Sequence, residues 1–449
     1  MELSYKYRTY GLNNFRNIPQ VQEHLTEEQQ FEIEVVGNVL PFKANSYVVN
    51  ELINWKNVPN DPIYILTFPQ KGMLTEAHFN QMAEALKAGV KRAELKQVAN
   101  EIRMQLNPHP AGQMELNVPQ IEGVKLTGLQ HKYDQTVLFF PNHGQTCHAY
   151  CTFCFRWPQF VGIDELKFAM RETELMVKYL KEHTEVTDVL FTGGDPLIMS
   201  TERLRMYIEP LLKSDLPNIR TIRLGTKALG YWPYRFTHDK DAADLIELFK
   251  EVKAAGKHLA IMAHFNHVAE MQTEGVKEAI KVVKAAGGEI RTQSPIMRYI
   301  NDRPEDWRDM WKEQVAQGCI PYYMFLARDT GAQHYFAVPL VNAWQTFQKA
   351  YQQVSGICRT VRGPSMSADP GKVQILGVTE VKGEKVIALR FIQGREADWV
   401  HRPFFAKYDE NAIWLDDLKP AFGEDAFFFE EEYREYISNK KQLPEDLPV

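Results

Sequence analysis

The sequence has few cysteines, no strong net charge and no long apolar run, and each absence excludes a class of protein. Five cysteines in 449 residues are too few for a disulfide-built scaffold. With 52 basic and 58 acidic residues, the chain lacks the basic surface that nucleic-acid binding requires. No stretch approaches the roughly 20 apolar residues that span a bilayer, and the first residues contain no apolar signal segment. We therefore expect a cytoplasmic protein that binds neither nucleic acid nor a membrane.

The central part of the chain alternates short apolar segments with amphipathic helical patterns, which is typical of repeated βα units. The six predicted strand segments are TVLFFP, VTDVLFTGG, IRTIRLGTK, KHLAIMAHF, EIRTQSPI and CIPYYMFL. Such units favour an α/β fold built on a partial (βα)6 barrel of the TIM type, with the chemistry at the carboxyl ends of the strands. We expect a helical N-terminal region (1–125), the barrel (126–375) and a β-rich, acidic C-terminal extension (376–449).

Three of the five cysteines are crowded into eight residues. Cys147, Cys151 and Cys154 follow the first predicted strand, at spacings that allow one loop to wrap a compact metal cluster. A [4Fe-4S] cubane needs four ligands, so three cysteines leave one iron open for another molecule. This crowding predicts an iron-sulfur centre in a reducing compartment. The two isolated cysteines, Cys319 and Cys358, are expected to be small apolar core residues.

The motif CxxxCxxC, with the aromatic Phe153 before its third cysteine, resembles that of the radical S-adenosylmethionine (SAM) superfamily. GLQHKYDQTVLFF precedes it, and FTGGDPL, IRLGTKA, HFNH and QSPIMRYIND follow it, each after a predicted strand. In this order and spacing, the segments resemble the lysine 2,3-aminomutase family over roughly residues 100–375. The resemblance implies an isomerase that cleaves SAM reductively to a 5'-deoxyadenosyl radical and moves an amino group between neighbouring carbons.

The resemblance also implies a set of SAM contacts around the open iron. A basic residue and an amide would bind the cofactor carboxylate, a glycine pair would let the backbone approach the methionine part, and an acid would end the strand beside it. A histidine would line the cavity. In this sequence these positions are Arg156, Gln293, Gly193, Gly194, Asp195 and His264. Each taken alone is equally compatible with an ordinary structural residue.

Relatives in this family carry pyridoxal 5'-phosphate on a lysine in a glycine-rich loop, and Lys372 is the corresponding residue here. Lys132 and Tyr133 are the matching candidates near the phosphate. Two departures weaken the match, because the loop keeps only Gly371 and because Thr136 replaces a family arginine. A solvated turn lysine is the alternative interpretation of Lys372.

The lysine-acting relatives hold the remote ammonium of the substrate with acidic residues. Aligned from Pro321, one of those positions falls on Arg328, with Asp329 next to it, while Asp369 keeps the second. A basic residue there would suit a substrate with a remote carboxylate. The sequence leaves the identity of the amino acid open.

Two further hypotheses compete with a pyridoxal-dependent aminomutase. One is a radical SAM enzyme of the same architecture without pyridoxal phosphate, acting on another small molecule or on a protein lysine. The other is a scaffold stabilised by zinc, with His148 or Cys358 closing the tetrahedron. For the enzyme we expect a small-molecule amino-acid substrate, an electron donor such as flavodoxin or ferredoxin, and a homo-oligomer.

Overall fold

The chain forms a mixed α/β fold around one large sheet, and the computed structural model describes residues 5–441. Two small antiparallel pairs lie outside that sheet: β1 (Thr9–Tyr10) with β2 (Ala44–Asn45), and β3 (Gln120–Ile121) with β4 (Val124–Lys125). The large sheet has eleven strands: β5 (Leu129–Tyr133), β6 (Thr136–Phe139), β7 (Asp188–Phe191), β8 (Thr221–Thr226), β9 (His258–His264), β10 (Gly288–Ile296), β11 (Ile320–Leu326), β12 (Arg362–Ser367), β13 (Gly371–Val381), β14 (Glu384–Gly394) and β15 (Pro403–Lys407).

The strands of the large sheet lie side by side in chain order, with β5 at one edge and β15 at the other. From β6 to β12 neighbouring strands are parallel, and β5 and β13–β15 add antiparallel strands at the two sides. Each of the six predicted strand segments contains a strand, and β12 continues the parallel series. The predicted boundary at residue 375 falls inside β13, and residues 442–449 of the predicted extension lie outside the described residues.

Helices precede the sheet, connect its parallel strands and end the described chain. Their bounds are α1 (Pro19–His24), α2 (Glu27–Val39), α3 (Pro62–Thr67), α4 (Glu76–Lys87), α5 (Arg92–Met104), α6 (Thr173–Glu182), α7 (Thr201–Lys213), α8 (Ala228–Tyr231), α9 (Ala242–Ala254), α10 (Glu274–Ala285), α11 (Pro304–Ala316), α12 (Gln333–Phe336), α13 (Leu340–Gln352) and α14 (Glu430–Lys441). Within residues 5–441, no helix is both long and apolar enough to cross a bilayer.

The connecting helices begin and pack as their sequences predict. The Ser200 hydroxyl accepts a hydrogen bond from the N–H of Arg203 at the start of α7, and Thr273 does the same for Val276 in α10. The buried residues of α10 recur at spacings of three and four and form one apolar face: Val276, Ala279, Ile280 and Val283. These apolar faces cover the sheet. Along the strands, fully buried side chains alternate with less buried ones, as they do in β8.

Candidate active site

A cavity of about 360 Å³ opens among the strands, and side chains from β5 to β14 line it together with the cysteine loop. It brings together most of the side chains predicted from the sequence. The predicted site residues that line it are Cys147, Cys151, Cys154, Arg156, Gly193, Gly194, Asp195, His264, Gln293, Lys132, Tyr133, Arg328 and Lys372. Asp329 and Asp369, the two predicted substrate acids, are not among the residues that line the cavity.

The N-terminal region holds the cysteine loop in place. The Lys43 ammonium donates a hydrogen bond to the carbonyl of Cys147 (2.7 Å), and the N–H of Tyr150 donates to the carbonyl of Lys43 (2.7 Å). Further along the loop, the Thr152 hydroxyl donates to the carbonyl of Ile65 (2.7 Å), and the Thr152 N–H to that of Leu66 (2.9 Å). A loop without regular structure needs such partners for its backbone groups. The segment 43–66 therefore shapes the loop that carries the cysteines.

The three cysteine thiols are free, partly buried and close enough to influence one another. Burial raises the pKa of Cys151 to about 11 and that of Cys154 to about 12, where the neighbouring Cys151 adds to the rise. Burial also raises the pKa of Cys147 well above its usual value, with further increases from Asp195 and the other two thiols. Iron binding would replace these protons, since metal ligation favours the thiolate. Three sulfur donors on one loop fit a cluster that keeps one iron open.

The residues that would have to complete a zinc tetrahedron lie elsewhere. His148 packs edge-to-face against Tyr7, and the Cys358 thiol lies 3.7 Å from the Ser355 hydroxyl. Neither side chain lines the cavity. Across the described residues 5–441, no three His, Cys, Asp or Glu side chains converge closely enough for one metal ion. Three thiols that line the cavity without either candidate fourth ligand are the donor set of a cluster in which each thiolate binds a different iron.

The turn after β7 fits closely against the start of the cysteine loop. A Cβ on Gly193, whose φ is +125°, would lie 2.4 Å from the Gln145 amide, and one on Gly194 would lie 2.3 Å from the Thr146 carbonyl oxygen. The glycines are thus needed for loop packing, whereas the sequence pattern suggested only cofactor approach.

Asp195 ends this turn as a fully hydrogen-bonded anchor. Its carboxylate accepts hydrogen bonds from the Thr226 hydroxyl (2.8 Å) and from the N–H groups of Lys227 (2.8 Å) and Leu197 (2.9 Å). Its own N–H donates to the Thr146 carbonyl (2.7 Å). Asp195 therefore joins the ends of β7 and β8 to the cysteine loop.

Two arginines line the cavity with guanidinium nitrogens that make no hydrogen bond. The Nε of Arg156 is buried without a hydrogen bond, as are the Nε and one terminal nitrogen of Arg328. Both guanidinium groups lie near the Phe155 ring, at 5.0 and 5.4 Å from its centroid. Burial lowers the pKa of Arg156 to about 9, and the positive charge of Arg328 lowers it further. Buried guanidinium nitrogens without hydrogen bonds are costly, so this arrangement is suited to anionic ligands.

Gln293 and His264 form a polar pair at the ends of β10 and β9. The Gln293 amide nitrogen lies 2.7 Å from Nε2 of His264. Burial lowers the pKa of His264 to about 3, so its ring is neutral and can pair with the Gln293 amide through one ring nitrogen. This contact fixes the direction of the Gln293 side chain inside the cavity.

Lys372 lies on strand β13 inside the cavity, which differs from the predicted loop and from a solvated turn. Its Nζ donates to the side-chain oxygen of Gln393 (2.9 Å) and lies 4.4 Å from the Tyr323 ring centroid. Burial lowers the pKa of Lys372 to about 7, with additional decreases from Arg223 and two other arginines, Arg362 and Arg328. A lysine amine with such a pKa is largely neutral at pH 8 and can act as a nucleophile.

The same end of the cavity contains further cations. The Lys132 ammonium donates to the carbonyl of Ala368 (2.6 Å), and burial lowers its pKa well below the usual value. Arg223, on β8, also lines this end. The two predicted acids lie behind this surface: the Asp329 carboxylate is 3.7 Å from Arg328, and burial raises the pKa of Asp369.

Sequence reasoning missed several residues of the site. Arg223 and Lys227 line the cavity from the IRLGTKA segment, and Gln393 does so from β14. Lys227 is held by the buried carboxylate of Glu270 and by the side-chain oxygen of Asn266 (2.7 Å). Arg223 could have been recognised from the sequence, because it is a charged residue in the middle of the predicted strand IRTIRLGTK. Gln393 carried no such signal, because its strand lies outside the βα pattern.

Comparison with known proteins relates most of the chain to one group of enzymes. No protein-family model matches it. A protein of Aquifex aeolicus named "Putative L-lysine 2,3-aminomutase" is 31% identical over 397 residues, which cover 88% of this chain and 92% of that protein. The L-lysine 2,3-aminomutase of Methanococcus maripaludis is 24% identical over 323 residues, covering 71% of this chain and 63% of that enzyme.

Among solved structures, the radical SAM methyltransferase TsrM of Kitasatospora setae aligns with 12% identity and a TM-score of 0.29, over 45% of this chain and 38% of that one. The likeness to the Aquifex aeolicus protein extends over nearly the full length of both chains, and the motifs that carry the resemblance lie in the cavity described above. The chain belongs to the lysine 2,3-aminomutase family.

Proposed function

We propose that this protein is a pyridoxal-dependent amino-acid 2,3-aminomutase that acts on an amino acid with a remote carboxylate. The observation that carries the proposal is the cavity itself, because the three cysteine thiols and the amine of Lys372 line the same enclosed space. A radical generated at one end would meet a substrate amine held at the other. Enclosure matters since a reactive radical must be kept from other C–H bonds.

At the cysteine end, Cys147, Cys151 and Cys154 would hold a [4Fe-4S] cluster. Such a cluster, when bound, would supply the electron for reductive cleavage of SAM. Arg156 would bind the SAM carboxylate, and its unpartnered Nε supports that role. Gln293, aimed into the cavity by His264, would contact the same ligand.

At the opposite end, Lys372 would hold pyridoxal phosphate, which stabilises a migrating amino group when it is bound. The chain contributes an amine that is buried, positioned by Gln393 and largely neutral at pH 8. Lys132 and Arg223 would neutralise the phosphate. They would supply the positive charge of the family arginine that Thr136 replaces in this chain. Tyr133 lies in the same lining.

The substrate class follows from Arg328. Its guanidinium faces the cavity with two nitrogens that have no hydrogen-bond partner, and the nearest acid, Asp329, is 3.7 Å away. A remote carboxylate would satisfy these nitrogens, whereas a remote ammonium would be repelled by them. Glutamate therefore suits this pocket better than lysine.

A second candidate is a radical SAM enzyme of the same architecture that works without pyridoxal phosphate. The uncharged Thr136 in the cavity lining favours it, because a phosphate site usually contains more direct cationic contacts. Both candidates share the cysteine end and differ only at Lys372.

Further parts of the proposal concern the fold and the cellular setting. A partial barrel is supported by the shared cavity, since Thr136 on β6 and Lys372 on β13 line it although six strands lie between β6 and β13. An electron donor such as flavodoxin or ferredoxin, a homo-oligomer and a cytoplasmic location remain predictions from the sequence.

The test is an anaerobic assay of reconstituted protein with SAM, a reductant, pyridoxal phosphate and either glutamate or lysine. The proposal expects 5'-deoxyadenosine and β-glutamate, with slower turnover of lysine. Conversion of lysine at a higher kcat/KM than glutamate would contradict the substrate assignment. Turnover that is independent of added and bound pyridoxal phosphate would favour the second candidate.

A further inference from the structure

The phenol of Tyr231 contacts one of the three cysteine thiols. Its hydroxyl oxygen lies 3.8 Å from the Sγ of Cys151, a distance within hydrogen-bonding range for the large sulfur atom. Tyr231 is 1% exposed and ends the short helix α8, directly after β8. Within residues 5–441, the Cys151 sulfur is the only hydrogen-bond partner of this hydroxyl.

Neighbouring residues fix the position of this phenol. The Asn45 side chain donates to the carbonyl of Tyr231 (2.9 Å) and also to the carbonyl of His148 in the cysteine loop (3.2 Å). One amide therefore joins helix α8 to the loop. The Lys227 ammonium lies 4.3 Å from the centroid of the Tyr231 ring and is paired with the buried Glu270. The hydrogen bond to the Tyr231 carbonyl and the contact of Lys227 with one face of the ring thus hold the side chain in position.

The direction of the hydrogen bond depends on what Cys151 carries. As a free thiol, Cys151 can donate its proton to the phenol oxygen. As an iron ligand it has no proton, and the phenol O–H is then the only donor of the pair.

The other two cysteines are surrounded differently. Among the described residues, no side chain donates a hydrogen bond to the sulfur of Cys154. For Cys147 the described part of the chain offers no side-chain hydrogen bond to the sulfur, and Lys43 binds its carbonyl oxygen instead. Among the described residues, Cys151 is therefore the one cluster cysteine whose sulfur contacts a side-chain hydrogen-bond donor. Replacing Tyr231 by Phe removes that donor by deleting a single oxygen atom.

Resting on the proposed function, we infer that Tyr231 is a positioning residue that sets the reduction potential of the cluster through a hydrogen bond to the Cys151 sulfur. A donor withdraws electron density from the thiolate and stabilises the reduced, more negative form of the cluster. The midpoint potential is thereby raised, which eases electron uptake before SAM is cleaved.

The test is a redox titration of the anaerobically reconstituted cluster in the wild-type protein and in Tyr231→Phe, followed by electron paramagnetic resonance without SAM. Iron and sulfide content should stay the same, and the midpoint of Tyr231→Phe should move to a more negative potential. Tyr7→Phe is the matched control, because the Tyr7 hydroxyl donates to the carbonyl of His148 (2.7 Å) and not to a sulfur. Its midpoint should equal that of the wild type.

Replacement of all tyrosines by 3-fluorotyrosine supplies a second measurement that keeps the side chain in place. The fluorinated phenol is a stronger donor, so the wild-type midpoint should move to a less negative potential, and the same replacement in Tyr231→Phe should have no effect. An unchanged midpoint potential in Tyr231→Phe at full iron content would overturn the inference. If Tyr231→Phe fails to retain iron, an unchanged midpoint potential in the fluorinated wild-type protein would overturn it instead. Wild-type protein that binds no cluster would instead refute the proposed function.

Discussion

Replacing Arg328 by Met should have opposite effects on stability and on catalysis. The guanidinium is mostly buried and has two nitrogens without partners, and its ion pair with Asp329 spans 3.7 Å. A buried unsatisfied polar group costs about 1–3 kcal/mol. The ion pair offsets little of this cost because its atoms are 3.7 Å apart, and after its loss the Asp329 carboxylate still accepts a hydrogen bond from the Asn107 side chain (3.2 Å). The thioether retains the length of the side chain. We therefore expect Arg328→Met to raise the free energy of unfolding by about 1 kcal/mol, measured by anaerobic urea denaturation.

The same change should weaken turnover of an acidic amino acid. A charge-assisted hydrogen bond contributes about 1.5–3 kcal/mol, so kcat/KM for glutamate should fall roughly ten- to a hundredfold. Because the repulsive charge is gone, the ratio of lysine to glutamate turnover should rise.

Arg103 provides the matched control, since it is a buried arginine whose groups are all engaged outside the cavity. Its guanidinium donates to the carbonyls of Val39 (2.8 Å) and Asn38 (2.8 Å) and to the side chain of Asn100 (2.8 Å). Arg103→Met should lower the free energy of unfolding by about 2 kcal/mol or more and leave the KM for glutamate unchanged. If Arg328→Met also destabilises the protein and keeps the wild-type kcat/KM, Arg328 is a structural residue and the substrate assignment is wrong.

Three further outcomes follow from the site. Cys151→Ala should lose most bound iron and all SAM cleavage, whereas Cys319→Ala, at a buried core position, should keep both, as iron analysis and 5'-deoxyadenosine assays will show. Arg156→Ala and Gln293→Ala should each weaken SAM binding by about ten- to a hundredfold at unchanged iron content, measured by equilibrium binding, and wild-type affinity in both would disprove their assignment. Borohydride reduction with pyridoxal phosphate should label Lys372, and labelling should decrease as the pH falls through about 7, because the folded-state pKa is lowered by burial and the surrounding arginines and only the neutral amine reacts. A label on another lysine, or an equal yield at pH 6 and pH 8, would contradict the role of Lys372.

Features that depend on a single continuous segment of the chain could be predicted from the sequence. The apolar segments between amphipathic helices located strands β6 to β11, and the spacing of Cys147, Cys151 and Cys154 located the loop that lines the cavity. Both patterns depend on neighbours in the chain, which is why they can be recognised without a structure.

Features that depend on contacts between distant segments could not be predicted in this way. Lys43 lies about a hundred residues before the loop that it supports, and no periodicity marks it. Lys372 was expected in a loop, yet pairing with Ser367 and Gln393 places it on a strand, where burial changes its pKa. Asp369 was predicted to contact the substrate, but it is not among the residues that line the cavity. Orientation and burial, unlike residue type, are set by the tertiary fold.

The most direct test of the central claim is a single-turnover experiment with anaerobically reconstituted protein, pyridoxal phosphate, reductant, SAM and glutamate. The account predicts formation of 5'-deoxyadenosine together with β-glutamate in the wild-type protein, and neither product in Cys151→Ala. Wild-type protein that carries a full complement of iron and sulfide and still forms no 5'-deoxyadenosine would contradict it.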